Sequence, residues 1–101
     1  LVTREYGPRV RLGTIITNLP LKAGRPTVMS RCGKCSICVR SCPSLSLRNT
    51  TWSAGMPRED IADVRGCSEF MKKNYQKIGY GYVCGICISV CPKGQKNLKK
   101  I

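Results

Sequence analysis

Histidine is missing altogether from these 101 residues, and acidic residues are scarce, at five against 18 lysines and arginines. The first absence excludes imidazole zinc sites, Rieske centres, histidine-ligated haem and Cys-His nucleophilic catalysis together. Long apolar runs are missing too. The stretch around Ile15 and Ile16 falls far short of the ~18 residues that cross a bilayer, so no membrane span is expected. The opening lacks the basic, apolar and small-residue succession of a secretory signal. It begins at Leu1 on a strand-like stretch, which is read as part of a longer polypeptide. A chain this short makes one small domain with a limited core, so something besides apolar burial has to hold it together.

What is abundant is cysteine, with eight residues, and positive charge, with a formal net of +13. Counting eight thiolates and two cubane cores, a metal-loaded form would still carry about +9. Such a surface suits an acidic protein partner or a nucleic acid, and the bland alternative is a solvated basic face with a like-signed tail.

Along the chain, residues 1–6 and 10–17 read as two short strands joined at Gly7-Pro8 and closed by Pro20. Gly24-Arg25-Pro26 marks a linker, which divides the chain into residues 1–25 and a cysteine-bearing part at residues 26–101. Residues 44–57 form a polar, turn-rich loop over the cysteine region. The spacing of Phe70, Met71, Tyr75 and Ile78 predicts a helix over residues 68–78 with that stripe as core, Lys77 in its last turn and Gly79 as its stop. Trp52, Tyr80 and Tyr82 are expected to cover the cysteine region, and the lysine-rich tail at residues 93–101 to fray.

The chain contains an internal repeat. Cys35-Ser36-Ile37-Cys38-Val39-Arg40-Ser41-Cys42-Pro43 matches Cys84-Gly85-Ile86-Cys87-Ile88-Ser89-Val90-Cys91-Pro92 position by position, a pattern of two similar units about a shared centre. With Cys32, the first copy becomes Cys-x2-Cys-x2-Cys-x3-Cys-Pro, the run of bacterial two-cluster ferredoxins. Three thiolates in seven residues wrap three corners of one 4Fe-4S cubane. Cys42 lies four residues beyond Cys38, about 6 Å along a helix axis, too displaced to complete the same cube. Reciprocal crossing therefore predicts one cluster on Cys32, Cys35, Cys38 and Cys91, and a second on Cys42, Cys67, Cys84 and Cys87. The second motif departs from the plain pattern: position 81, three before Cys84, is Gly81, and Cys67, with sixteen residues intervening before Cys84, substitutes. Gly33 and Gly85 permit tight turns after ligating cysteines, and Pro43 and Pro92 stop the short helices.

A disulfide scaffold would also use an even number of cysteines, but disulfides have no need of close triples followed by proline. Two four-cysteine zinc sites match the ligand count, yet zinc favours separated Cys-x-x-Cys knuckles and leaves the triple and the Cys-Pro endings unexplained.

Residues Glu5-Tyr6-Gly7-Pro8-Arg9-Val10-Arg11-Leu12-Gly13-Thr14-Ile15-Ile16-Thr17-Asn18-Leu19-Pro20-Leu21, followed by the two cysteine motifs and the spaced Cys67, resemble the cobalamin-dependent iron-sulfur reductases. These are the epoxyqueuosine reductases and reductive dehalogenases. The resemblance implies that residues 1–25 end a corrinoid-binding domain lying upstream in the same polypeptide. It also implies that the cluster domain passes it electrons singly, with Cys42, Cys67, Cys84 and Cys87 holding the nearer cluster. Asn18 stands where such proteins usually have Asp, and Ser44-Leu45-Ser46-Leu47 replaces a Gly-Ala-Ile-like continuation.

The expected fold is α+β: a small, loop-rich, two-cluster ferredoxin-like domain with short helices and an N-terminal strand pair. The expected function is an electron relay carrying two 4Fe-4S clusters, with cobalamin held mainly by a domain outside these residues and no catalytic residue in them. A flavodoxin-type or ferredoxin-type donor is the expected partner, tRNA is a candidate substrate, and a reducing cytoplasmic setting suits oxygen-sensitive thiolates. The rival readings are a stand-alone ferredoxin and a basic nucleic-acid-binding module with structural four-cysteine metal sites.

Overall fold

The computed structural model describes residues 1–95. Four short helices carry the fold: α1 at Ile37–Ser41, α2 at Val64–Tyr75, α3 at Ile86–Ser89 and α4 at Pro92–Gln95. Single 3-10 turns stand at Arg58–Asp60 and Gly79–Gly81. Helices α1 and α3, the two halves of the sequence repeat, pack against each other, α2 packs on the Gly79–Gly81 turn, and α4 follows α3.

The expected α+β class and N-terminal strand pair give way to helices and loops. Among the described residues the only β pairings are two isolated bridges, Thr3 with Gly7 and Leu47 with Ala62. Residues 3–9 fold into consecutive turns: the Thr3 amide and hydroxyl both donate to the Gly7 carbonyl, and the Arg9 amide donates to that of Tyr6. This knot sits on the far end of the chain. Gly7 lies so close to the Lys93 and Gly94 backbone that a Cβ there would collide with it, and the Arg9 guanidinium donates to the Ser89 carbonyl at 3.2 Å. From Val10 onward the alternating apolar residues find no partner strand among the described residues. Leu12, Ile15 and Ile16 are largely exposed, because alternation makes a strand only where a neighbour pairs its backbone. The radius of gyration, 15.8 Å, exceeds the roughly 13 Å of a compact chain of about 100 residues, as this extended segment requires.

Helix α2 begins four residues before the expected start and ends three before the expected stop. The missed signal is Asp63, an N-cap whose Oδ1 accepts from the Gly66 amide at 2.9 Å, satisfying a first-turn donor and placing negative charge at the positive helix end. Phe70, Met71 and Tyr75 are half-buried on its inner face, with the Phe70 and Tyr75 rings meeting edge to face at 5.9 Å. Ile78 lies beyond the helix and is exposed, so the expected core stripe ends at Tyr75. Trp52, Tyr80 and Tyr82, the expected aromatic cover, are all exposed. Lys93 and Gln95, placed by sequence in a frayed tail, belong to α4, while the rest of that tail lies outside the described residues.

No side chain among the described residues is fully buried, and Cys42 is the one hydrophobic residue that counts as buried. The apolar residues of α1 and α3 are half-covered at best. Cysteine sulfur, rather than leucine or valine, therefore lies where the packed elements meet.

Candidate metal centre

Each half of the repeat presents its first cysteines from a turn and its next from a helix. The Cys35 amide donates to the Cys32 carbonyl at 2.9 Å, closing a turn through Gly33 at φ 53°, and Cys38 is the second residue of α1. In the other half Gly85, at φ 73°, caps α3 and accepts the Ile88 and Ser89 amides, so Cys87 is likewise the second residue of its helix. Both glycines have open space where a Cβ would stand, so their requirement is conformational, as expected from sequence. Cys42 caps α1 in the extended conformation that the following Pro43 imposes. Pro92 has a further role besides ending α3: it opens α4, where its missing amide costs nothing.

Cys67 reaches the others through a short stitch between two loops. The Asp63 amide donates to the Ser46 carbonyl at 2.8 Å and the Arg48 amide to that of Ile61 at 2.8 Å, around the Leu47–Ala62 bridge. The segment after Cys42 is thereby tied to the cap of α2, one turn before Cys67. The sequence places Cys67 ahead of its helix; it lies inside the first turns instead.

Gly81 explains the departure from the plain ferredoxin pattern. It is buried at φ 76°, and a Cβ there would press on the Lys72 Cα at 3.0 Å and the Gln76 Oε1 at 2.9 Å. The helix that delivers Cys67 occupies the space a side chain at position 81 would need.

Electrostatics show which thiols lie near one another. Burial pushes the Cys38 thiol up, and the nearby Cys32 and Cys35 add to this. Burial likewise raises Cys67, reinforced by Cys42, Cys84 and Asp63, and raises Cys87, reinforced by Cys42, Cys84 and Cys38. Like charges brought together disfavour ionisation, and a bound cation relieves that penalty. The interaction between Cys38 and Cys87 spans the α1–α3 contact. Cys91 lies half-buried beyond α3, with its amide donating to the Ile88 carbonyl.

Cys42 runs the other way. Burial raises its thiol, but the Ser44 hydroxyl, then the backbone of Ser46, Ser44 and Leu47, outweigh that and hold it below the ordinary value. Ser44 Oγ stands 3.3 Å from Cys42 Sγ and 2.8 Å from Ser46 Oγ. Neither serine was singled out from sequence, although the Ser-Leu-Ser spelling after the first Cys-Pro was a visible departure.

All eight cysteines are free thiols. Among the described residues no three cysteine or acidic side chains converge tightly enough to hold a metal ion by themselves. A zinc site needs four sulfurs about 2.3 Å from one ion, whereas a cubane presents four separate iron corners and accepts a wider spread. Thiol-only donors without single-ion convergence fit polynuclear iron-sulfur groups.

A family profile described as a 4Fe-4S double cluster binding domain matches residues 31–94. This chain belongs to that family. The double-cluster domain is 32% identical to a tetrachloroethene reductive dehalogenase of Sulfurospirillum multivorans, an alignment covering 96% of this chain and 20% of that protein. It is 33% identical to the epoxyqueuosine reductase of Listeria monocytogenes, over 91% of this chain and 24% of the relative. Its identity to the epoxyqueuosine reductase of Bacillus anthracis is also 33%, over 94% of this chain and 25% of the relative. The chain thus spans about a fifth to a quarter of these relatives. No solved structure matches it. Among the described residues no helix is long and apolar enough to cross a membrane.

Proposed function

We propose that this domain is a one-electron relay, with Cys32, Cys35, Cys38 and Cys91 ligating one 4Fe-4S cluster and Cys42, Cys67, Cys84 and Cys87 the other. The observation that carries this reading is the repeat in three dimensions: α1 and α3, each with a cysteine as its second residue, pack against each other, with Cys67 and Cys87 near Cys42 and Cys84, and Cys38 near Cys32, Cys35 and Cys87. When bound, the clusters supply single-electron transfer at low potential. The residues supply spacing and environment. Packing of α1 on α3 keeps the two cysteine sets adjacent, and the loop after Cys42 directs hydrogen-bond donors at one ligand sulfur.

The larger setting is a corrinoid-dependent reductase of the epoxyqueuosine reductase or reductive dehalogenase kind. Residues 1–25 lead in from a corrinoid-binding domain, and residues 26–101 pass it electrons. Support comes from the names of the relatives and the fraction of each that this chain covers. An apolar hollow of about 190 Å³, lined by Tyr75, Ile78, Val83, Cys84 and Ile86, lies beside the exposed Cys84. It offers an acceptor an apolar approach to the second cysteine set. The +13 formal charge suits docking of an acidic flavodoxin-type or ferredoxin-type donor, and also a tRNA substrate, in a reducing cytoplasm.

Anaerobic reconstitution tests the relay. The expected product is brown, holds about eight irons per chain and gives an EPR signal on reduction. Colourless protein carrying zinc instead would overturn it.

A further inference from the structure

The hydroxyl pair after Cys42, half-buried at Ser44 and buried at Ser46, has no part in ligation. Ser46 is the one buried polar residue among those described, and its Oγ lies 2.8 Å from Ser44 Oγ, which lies 3.3 Å from Cys42 Sγ. The direction of these bonds follows by elimination. A ligating thiolate only accepts, so the single Ser44 proton goes to sulfur, and Ser44 Oγ is left to accept from Ser46. Among the described residues no buried side-chain polar atom lacks a partner. With Cys42 as a thiolate ligand, two hydroxyl dipoles thus align toward one sulfur, each strengthening the other.

The backbone is bent to allow this. Leu45, between the two serines, stands at φ 54°, a left-handed conformation that costs a leucine energy, and its side chain is 79% exposed, so burial gives no compensation. The bend is held from both sides: the Leu45 amide donates to the Cys42 carbonyl at 3.2 Å, and the Ser46 carbonyl accepts from Asp63 at 2.8 Å. The other half shares the backbone bond, its Gly94 amide donating to the Cys91 carbonyl at 3.0 Å, but Lys93 and Gln95 stand where the first half has Ser44 and Ser46, so no hydroxyl follows Cys91 at those positions.

We infer that Ser44 and Ser46 form a hydroxyl relay that raises the reduction potential of the one cluster ligated by Cys42, making the two clusters of this domain unequal. This inference rests on the proposed ligand assignment. Reduction by a low-potential one-electron donor adds one electron and no proton, and neither makes nor breaks a bond. The added negative charge spreads onto the ligand sulfurs, so a donor aimed at Cys42 Sγ stabilises the reduced state more than the oxidised one.

The test is an EPR-monitored titration with dithionite of the reconstituted chain, comparing the parent with Ser44→Ala, Ser44→Thr, Ser46→Ala and Cys67→Ala. Ser44→Ala is expected to make reduction of one cluster about tenfold less favourable, a negative shift of about 59 mV for one electron. The other cluster stays in place. Ser46→Ala moves the same signal by less, and Ser44→Thr, which keeps the hydroxyl, restores it. Cys67→Ala identifies the signal, because the cluster it removes is the one that Ser44→Ala shifts. Unchanged midpoints in Ser44→Ala, or equal shifts of both, overturn the relay and leave the ligand assignment standing. A shift confined to the signal that survives Cys67→Ala does the reverse: the relay stands and the assignment fails. Should Ser44→Ala take up fewer irons, Ser46→Ala, which leaves the sulfur contact intact, still decides, and an unmoved midpoint there overturns the relay.

Discussion

The two copies of the Cys-x2-Cys-x3-Cys-Pro unit share their spacing and the helical position of their middle cysteine, and they part at the proline. After Cys42-Pro43 the chain turns back on itself, and the donors of Ser44, Ser46 and Leu47 gather on the sulfur. After Cys91-Pro92 it continues as α4, with Lys93 and Gln95 in place of the two serines, while the last turn of α3 is closed by Arg9 and Gln95, both donating to the Ser89 carbonyl. A repeat in sequence is therefore not a repeat in environment. The ligand chemistry is duplicated, whereas the sulfur's hydrogen-bonding partners are set by whatever follows, and this is where two clusters in one small domain can acquire different properties.

The largest test of that asymmetry removes the residue belonging to neither copy. Cys67→Ala should lose one cluster, leaving about four of eight irons, because α2 brings no other thiol to that corner. Iron and sulfide content per chain decides it, and retention of about eight irons would falsify the ligand assignment. Next in size is the effect of acid on loading. Cys38, Cys67 and Cys87 are raised by burial first and by neighbouring thiolates second. Protons thus compete with iron up to a higher pH than for free thiols, and loading falls as pH is lowered. Each thiol that must ionise before ligation slows uptake by about tenfold per pH unit. Reconstitution rates between pH 7 and 9 measure this, and a flat profile would show that deprotonation does not limit assembly.

Smaller effects probe how each half is built. Gly81→Ala, which puts a methyl against the α2 backbone at a positive φ, should cost the loaded domain about 1–3 kcal/mol in denaturant unfolding. An unchanged midpoint would mean that α2 shifts freely, against its role in placing Cys67. Smallest is Leu45→Gly, which relieves left-handed strain at an exposed side chain and should stabilise by about 0.5 kcal/mol. A loss of stability would indicate that Leu45 contributes packing not evident from its exposure.

Spacing alone carries the ligand chemistry. Eight cysteines without histidine, a close triple and two Cys-Pro endings mark an iron-sulfur domain, and Gly33 and Gly85 mark its turns, because local backbone geometry decides which sulfurs a short loop can present together. Sequence also located α2, though not its ends, since the Asp63 cap is a single hydrogen bond outside the apolar periodicity. The N-terminal strand pair was misread for a different reason: alternation records which residues suit a sheet, but says nothing of whether a neighbouring strand exists. Why position 81 is glycine, how Cys67 arrives, and how the turn bearing Ser44 and Ser46 is held were decided only by tertiary structure. Those depend on contacts between segments far apart in the chain, where the Ser46–Asp63 stitch, the α2 backbone against Gly81 and the turn after Pro43 settle a geometry that no local pattern encodes.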